Sequence, residues 1–184
     1  MGRAFANLAF TPRVQALQTA AGSRASYARM AEQGEAGAEL GEFEADFIEA
    51  RDGFYQASAS ETGWPYVQFR GGPPGFLKVL NNKTIAYADF RGNVQYIGAG
   101  NLQGNDRVAL ILMDYAHQSR LKIMGHARPV DSAEDPALLA HLTVPGYRAR
   151  PERSVVITVE AFDWNCPQHN TPRFTREEFE AGLA

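Results

Sequence analysis

Apolar residues between positions 54 and 164 fall into short segments that turn residues separate. Val155, Ile157 and Val159 alternate with polar neighbours, which predicts a strand with one buried face, and the run VALILM at 108–113 has the length of a buried strand. Two hairpins are predicted, because short turn sequences separate the first two strands and the next two. The predicted strands cover 54–60, 66–70, 76–80, 84–89, 108–113, 120–129 and 154–164.

Helical signals precede these strands. Thr11 followed by Pro12 is a typical helix start and Gly22 is a typical end, with Val14, Leu17 and Ala21 on one side between them. Further helices are predicted over 23–33 and 42–51, and a loop over 34–41 joins them.

Two more helices are predicted late in the chain. Asp131 is expected to cap a helix that carries three leucines between 138 and 142, and Thr175 and Glu178 have the spacing of a capping box. Strands in hairpin order, with helices at the ends and in one connection, favour an α+β fold that is mainly β: an antiparallel barrel with a helical annex.

A length of 184 residues favours a single domain with a sizeable core. Within it we expect a helical N-terminal annex over 1–53, a barrel over 54–164 and a C-terminal loop and helix over 165–184.

Composition narrows the classes of function. The net charge of −3 argues against a general nucleic-acid binder, and no uncharged apolar run approaches the ~20 residues of a membrane-spanning helix. The first ten residues do not resemble a signal peptide, so a cytoplasmic location is expected. Cys166 is the only cysteine, which excludes an internal disulfide and a cysteine-rich metal site.

A polar junction after the predicted strand 84–89 is a candidate anion site. Asn93 and Gln95 lie in a segment that leads from that strand towards a short helix, and free backbone N–H groups at such a junction suit a negatively charged group. The alternative is an ordinary polar loop. Arginines on or beside strands, such as Arg70, Arg91 and Arg120, could recognise phosphate or could form surface ion pairs.

Two other segments carry weaker signals. The run GGPPG at 71–75 lacks the Lys and Ser/Thr of a phosphate-binding P-loop, so a bulge or corner is favoured there. Cys166 and His169 lie three residues apart in a proline-bounded loop, which is poorly suited to a buried catalytic dyad, and the four histidines are too scattered to predict a metal site.

Several segments together resemble the pyridoxamine 5'-phosphate oxidase-like FMN-binding proteins. They are FYQASASETGWPYVQFRGGPPGFLKVL, IAYADFRGNVQYIGAGNL, NDRVALILMDY and RLKIMGHARPV, in this order, and the closing DWNCPQHNTPRFT resembles the C-terminal signature of one bacterial branch. The resemblance covers roughly residues 11 to 176.

This resemblance implies a split β-barrel that forms a homodimer with two FMN sites at the subunit interface. Residues 68–71 would run along the flavin, Ala88 and Asp89 would lie near its ribityl chain and phosphate, and Asn93 and Gln95 would hold the phosphate. The implied cofactor-binding residues are Gln68, Phe69, Arg70, Gly71, Ala88, Asp89, Asn93, Gln95, Arg120, Trp164, His169 and Arg173.

Departures from the family pattern bear on affinity and substrate. Val94 stands where the family usually has Arg or Lys, Phe69 where the branch is often polar, and Gly98 where a hydroxyl residue is common. Loss of one charge-assisted hydrogen bond would weaken phosphate binding by about 1.5–3 kcal/mol. The segment that completes the vitamin-oxidase pocket is not recognisable between Ala127 and Ser154, which argues against pyridoxamine phosphate oxidation itself.

The leading hypothesis is an FMN-dependent oxidoreductase of unknown substrate and electron donor, with no identified catalytic acid or base and no metal. One alternative is a flavin-binding carrier or sensor without turnover. Another is a barrel that binds a different cofactor such as haem, for which His126 or His169 would matter.

Overall fold

The structure, a computed structural model, describes residues 2–33 and 36–182, so the predicted loop over 34–41 lies partly outside the described residues. Within these residues, four helices precede the first strand, and three more helices lie among and after the strands. The helices are α1 (Arg3–Ala9), α2 (Pro12–Ala20), α3 (Arg24–Gln33), α4 (Glu42–Glu49), α5 (Ile97–Gly104), α6 (Pro136–Leu142) and α7 (Arg176–Glu180). The strands are β1 (Gly53–Ala59), β2 (Pro65–Gly71), β3 (Leu77–Asn81), β4 (Thr84–Phe90), β5 (Arg107–Asp114), β6 (Ser119–Asp131) and β7 (Pro151–Trp164).

All seven strands join one antiparallel sheet in the order β2-β1-β5-β6-β7-β4-β3. The two predicted hairpins, β1–β2 and β3–β4, form its two ends. The long strands β6 and β7 pair along most of their lengths, with a register shift at Gly125 where the backbones approach closely. The predicted α+β class with an antiparallel split barrel is therefore confirmed.

One main core lies on the inner face of the sheet. Strand β5 shows why, because Val108, Leu110 and Leu112 alternate inwards and are buried, while the residues between them are more exposed. Ile48 of α4 and Leu102 of α5 close this core at its sides. A smaller cluster forms around Leu142 of α6 and includes Ala86 and Ala88 of β4. Strand β4 is consequently buried on both faces.

Local sequence signals predict the starts of α2 and α7, and the structure confirms both. Thr11 and Pro12 begin α2, and the capping box of Thr175 and Glu178 forms at α7, with Glu178 N donating to Thr175 Oγ1 over 3.1 Å and Thr175 N donating to Glu178 Oε2 over 2.7 Å.

One expectation needs correction, and two helices pack in ways that the sequence does not indicate. Asp135 rather than Asp131 caps α6, because Asp131 Oδ1 instead accepts from Ala133 N in the preceding turn. Leu17 of α2 is 72% exposed, and α2 packs on α3. Helix α1 has no strong signal of its own and forms by burying Phe5 and Ala6, packed beside β7.

Candidate functional site

A small cavity of about 90 Å³ opens where β2, the end of β4 and the start of α5 meet. Strand β2 presents alternate side chains to it, and the connection from β4 to α5 forms the opposite wall. The lining residues are Tyr66, Gln68, Arg70, Asp89, Phe90, Gly92, Asn93, Val94, Gln95, Tyr96, Ile97, Gly98, Ala99 and Glu152. Five of the residues that the sequence singled out, Gln68, Arg70, Asp89, Asn93 and Gln95, therefore lie together.

A carboxylate shared by two guanidinium groups anchors the buried side of this cavity. Arg70 Nη1 donates to Asp89 Oδ1 over 2.6 Å, and Arg153 Nε lies 3.5 Å from Asp89 Oδ2. Gln68 completes the arrangement, because in the amide orientation that satisfies both groups its oxygen accepts from Arg70 Nη2 and Nε over 2.9 and 3.3 Å. Asp89 is only 8% exposed, so these contacts hold both arginines in place.

A second, looser set of charges lies beside the cavity, with Glu152 and Tyr96 in its lining. The Glu152 carboxylate lies 3.8 Å from Arg91 Nε and 3.3 Å from Arg153 Nη2, and Tyr96 Oη donates to both of its oxygens over 3.4 Å. The Arg153 guanidinium also lies over the Tyr96 ring. Three guanidinium groups in this network face two carboxylates, which leaves an excess of one positive charge.

The backbone adds further positive potential. Val94 and Tyr96 have φ angles of 56° and 52°, a left-handed conformation that is unusual for such residues and occurs at functional loops. Tyr96 is the N-cap of α5 but gives no side-chain hydrogen bond to it. The first-turn N–H groups of a helix have no acceptor within the helix, and they carry the positive end of its dipole. Residues 97–99 therefore present a cradle for an anion.

Gly98 shapes this cradle through its missing side chain. A Cβ atom at this position would clash with the side-chain amide of Gln68. Glycine thus lets the Gln68 amide lie directly against the first turn of α5, while Asn93 Oδ1 accepts from Gln95 N over 3.2 Å and shapes the preceding loop.

Polar side chains also continue beneath the cavity into the core. Tyr87 is buried and donates to Gln56 Oε1 over 2.8 Å, and the Arg70 guanidinium lies over the Tyr87 ring. Burial raises the pKa of Tyr87 to about 12, although the positive charge of Arg70 opposes that rise. Tyr87 is consequently a neutral hydrogen-bond donor at physiological pH.

Three predicted residues of the same strands face elsewhere. Phe69 projects from the opposite face of β2, where it is 60% exposed and packs edge-on against Tyr55. Its ring covers the backbone of Gly53 and Gly71, which leaves no room for a side chain at either position. Ala88 is buried in the smaller cluster beside α6.

Four predicted residues outside these strands also lie away from the cavity lining. Arg120 donates to the carbonyl of Cys166 over 3.1 Å and so ties the C-terminal loop to β6. His169 is exposed in that loop. The last two, Trp164 and Arg173, each have an aromatic environment of their own.

Trp164 packs against Phe43 and Phe47 and donates to Glu44 Oε1 over 2.9 Å. Arg173 lies over the Tyr115 ring, at a separate cavity near the start of α7. In a single copy of the chain, these side chains and the cavity occupy different regions. Their assignment to a cofactor stays a prediction.

Sequence reasoning missed Tyr96, Glu152 and Arg153. For Glu152 and Arg153, the only available signal was that they form a charged pair just before the predicted strand 154–164. The structure shows that this strand begins at Pro151. Register places Arg153 beside Asp89, because β4 and β7 are antiparallel neighbours.

Other features define what else the described residues offer. A larger cavity of about 500 Å³ lies between α1 and strands β1, β5 and β6, and its lining includes Leu8, Ala57, Val108 and Met124. Within residues 2–33 and 36–182, there is no group of three or more His, Cys, Asp or Glu side chains that could hold a metal ion. Over the same residues, every helix is too short or too polar to cross a membrane.

Comparison with known proteins adds a family match. Residues 40–164, more than half of the chain, match the model of the family described as Pyridoxamine 5'-phosphate oxidase. A putative pyridoxamine 5'-phosphate oxidase from Lactobacillus delbrueckii has a similar structure, with a TM-score of 0.51, 18% identity, and coverage of 68% of this chain and 93% of that one. HupZ from Group A Streptococcus gives a TM-score of 0.51 at 15% identity and covers 73% and 99%. At these identities the two structures support the fold alone. The curated proteins contain no match to this chain.

Proposed function

The chain belongs to the pyridoxamine 5'-phosphate oxidase family, and from this premise we propose that it is a flavoprotein that binds FMN and acts as an oxidoreductase. One observation carries the proposal: the β2–β4–α5 cavity combines a helix N-terminus with Arg70 in its lining, and the ion pairs of its two carboxylates bring Arg91 and Arg153 beside it. FMN ends in a phosphate group, and this combination is the chemistry that recognises phosphate in proteins.

The residues present fit the phosphate end of the cofactor. Val94 supplies no charge, but Arg91 lies three residues before it and its side chain is 53% exposed, so it can turn towards an entering anion. Arg70 is held by Asp89 and Gln68, and its positive charge lies inside the cavity lining. Gln68, Asn93 and Gln95 would provide neutral hydrogen bonds to the ribityl hydroxyls and to phosphate.

The size of the cavity points to a second copy of the chain. About 90 Å³ is far below the roughly 300–1,000 Å³ of typical small-molecule sites, so a single copy encloses the phosphate end but not the ring system. The outer face of the β1–β2 hairpin exposes Tyr55, Val67 and Phe69, and β2 lies at the end of the sheet with one unpaired edge. We therefore include a homodimer in the proposal, with this apolar face covered by the partner.

The flavin, when bound, supplies hydride and electron transfer. The chain's own contribution is anchoring and orientation: the first turn of α5 and the arginines fix the phosphate, and strand β2 sets the direction of the rest of the molecule. Tyr87 supports Arg70 from below and stays protonated. The proposal assigns no side chain as proton donor or acceptor.

An absorption spectrum of the purified protein, followed by titration of the apoprotein with FMN, tests the cofactor. Flavin bands, or saturable binding of FMN, are expected. A protein that neither retains nor binds FMN would overturn the proposal, and a Soret band would replace FMN by haem. Anaerobic addition of NADH, NADPH or dithionite then tests turnover: a flavin that only dithionite reduces would favour a carrier or sensor over an oxidoreductase.

A further inference from the structure

We infer that Glu152 determines how strongly the anion site prefers a phosphate-bearing ligand: its carboxylate lines the cavity, binds Arg91 and Arg153, and competes there with the phosphate group. The inference rests on the proposed function, because FMN is the ligand whose phosphate would enter. It concerns a residue that neither the sequence patterns nor the family resemblance singled out.

The two carboxylates of the site are held in different ways. Asp89 makes a short contact of 2.6 Å to Arg70 and is almost completely buried, which is typical of a permanent structural ion pair. Glu152 is bound by contacts of 3.3 to 3.8 Å to Arg91, Arg153 and Tyr96, all longer than a strong charge-assisted hydrogen bond. A ligand anion would displace the weaker of the two.

Glu152 also holds the groups that an anion needs. Its partners include two guanidinium groups and a phenolic O–H, which are donors, and its side chain lines the cavity together with the first turn of α5. A phosphate entering between that turn and Arg91 would meet the Glu152 charge at close range. Repulsion between like charges would then lower the affinity for FMN but not for riboflavin, which lacks the phosphate.

An alternative role for Glu152 is positioning. In that case its carboxylate would orient Arg91 and Tyr96 for the ligand, and its removal would weaken FMN binding. The two roles therefore predict opposite signs for the same measurement.

The test is titration of the apoprotein with FMN and with riboflavin, in parallel, for the wild type, Glu152→Gln, Glu152→Ala and the control Glu160→Gln. Glu160 lies on the same strand but lines the cavity beside α1, so it matches the charge change at a remote place. Inorganic phosphate serves as a competitor of FMN, which gives a readout independent of the flavin ring. Thermal unfolding of each variant checks that it is folded.

If the inference holds, Glu152→Gln and Glu152→Ala tighten FMN binding by about tenfold at low ionic strength, the size of a single charge interaction at a partly exposed site. Riboflavin affinity stays unchanged, phosphate competes better, and added salt reduces the gain because it screens the charge. Glu160→Gln behaves as the wild type.

Other results separate the two proposals. FMN binding by the wild type that Glu152→Gln leaves equal or weaker would overturn the role of Glu152 and leave the proposed function standing. Failure of the wild type and of both Glu152 variants to bind FMN would overturn both. Binding by the Glu152 variants alone would support the competition while removing FMN as the cofactor of the natural chain.

Discussion

The guanidinium of Arg70 and the carboxylate of Asp89 lie 2.6 Å apart, and the second oxygen of the same carboxylate faces Arg153. Because Arg70 extends from β2 and Arg153 from β7, this carboxylate links β2 to β7 through the end of β4. The ion pairs with Asp89 therefore hold the Arg70 and Arg153 side chains in place without a bound ligand.

Replacement of Asp89 by Asn tests this organising role. The change leaves two partly buried guanidinium groups without their shared carboxylate, and we expect a loss of roughly 2–3 kcal/mol in the free energy of unfolding, less than for a fully buried pair because both arginines keep some contact with water. Urea denaturation measures it. Glu134→Gln, which breaks the exposed pair with Arg128, is the matched control and should cost less than about 1 kcal/mol. Equal effects of the two substitutions would contradict the prediction.

Gly98→Ala tests the cradle at α5. The new methyl group would displace the Gln68 amide from the first helical turn, so FMN affinity should fall by about tenfold, the loss of one good hydrogen bond. Gly100→Ala, in the same helix, meets no atom within 4 Å and should leave FMN affinity unchanged. Gly100→Ala should be at least as stable as the wild type, because Ala favours a helix over Gly, and thermal unfolding checks that Gly98→Ala is folded. Undiminished affinity of Gly98→Ala would show that Gln68 does not contact the ligand.

Tyr87 gives a prediction for alkaline pH. Its pKa in the folded protein is raised to about 12 by burial, against 10.0 for an exposed phenol, so the folded state keeps a proton that the unfolded state loses. Its contribution to stability is therefore complete below pH 10 and is lost as the pH rises towards 12, by roughly 2–3 kcal/mol in total.

The variant Tyr87→Phe isolates this effect. At neutral pH it loses the hydrogen bond to Gln56 and should be less stable than the wild type by about 1 kcal/mol. Between pH 10 and 12 the difference should shrink or reverse, since the variant has no proton to retain there. Parallel pH profiles for the two proteins, measured by urea denaturation, would rule out the raised pKa.

The sheet could be predicted from the sequence because its signals are local. Alternation in 155–159, the apolar run at 108–113 and the turns of both hairpins each depend on a few neighbouring residues, and the structure confirms a strand or hairpin at each, although only alternate residues of 108–113 are buried. The capping box at Thr175 is of the same kind. Helix α1 has no such local signal, because it depends on the burial of Phe5 and Ala6, which pack beside the distant strand β7.

The candidate site was predictable only in part for the same reason. Gln68, Arg70 and Asp89 belong to segments whose order and spacing resemble a known family, so the resemblance placed them near one ligand. Glu152 and Arg153 reach the site only through the pairing of β7 with β4, a contact between distant parts of the chain. No local sequence pattern predicts that these two residues reach the site.

The position of Trp164 in a single copy of the chain differs from the position that the family resemblance implies. The resemblance places it near the flavin, whereas the structure packs it between Phe43 and Phe47 with its N–H donated to Glu44. Trp164→Phe keeps most of the packing and loses that hydrogen bond, so we expect a loss of about 1 kcal/mol in stability with unchanged FMN affinity. Weaker FMN binding at normal stability would instead support contact with the flavin across a dimer.

The apolar face of the β1–β2 hairpin gives the prediction that concerns assembly. Val67 is 59% exposed on a strand with a free edge, beside the exposed ring of Phe69. If a second copy covers this face, Val67→Arg should bury an unpaired charge and shift the protein from dimer to monomer, as measured by sedimentation velocity. FMN affinity should fall with it, because the ring system would lose the surface that encloses it. Leu17→Arg, at an apolar position on α2 that is 72% exposed, should change neither property. A wild type that sediments as a monomer while binding FMN tightly would refute the dimer and require the single chain to enclose the flavin by itself.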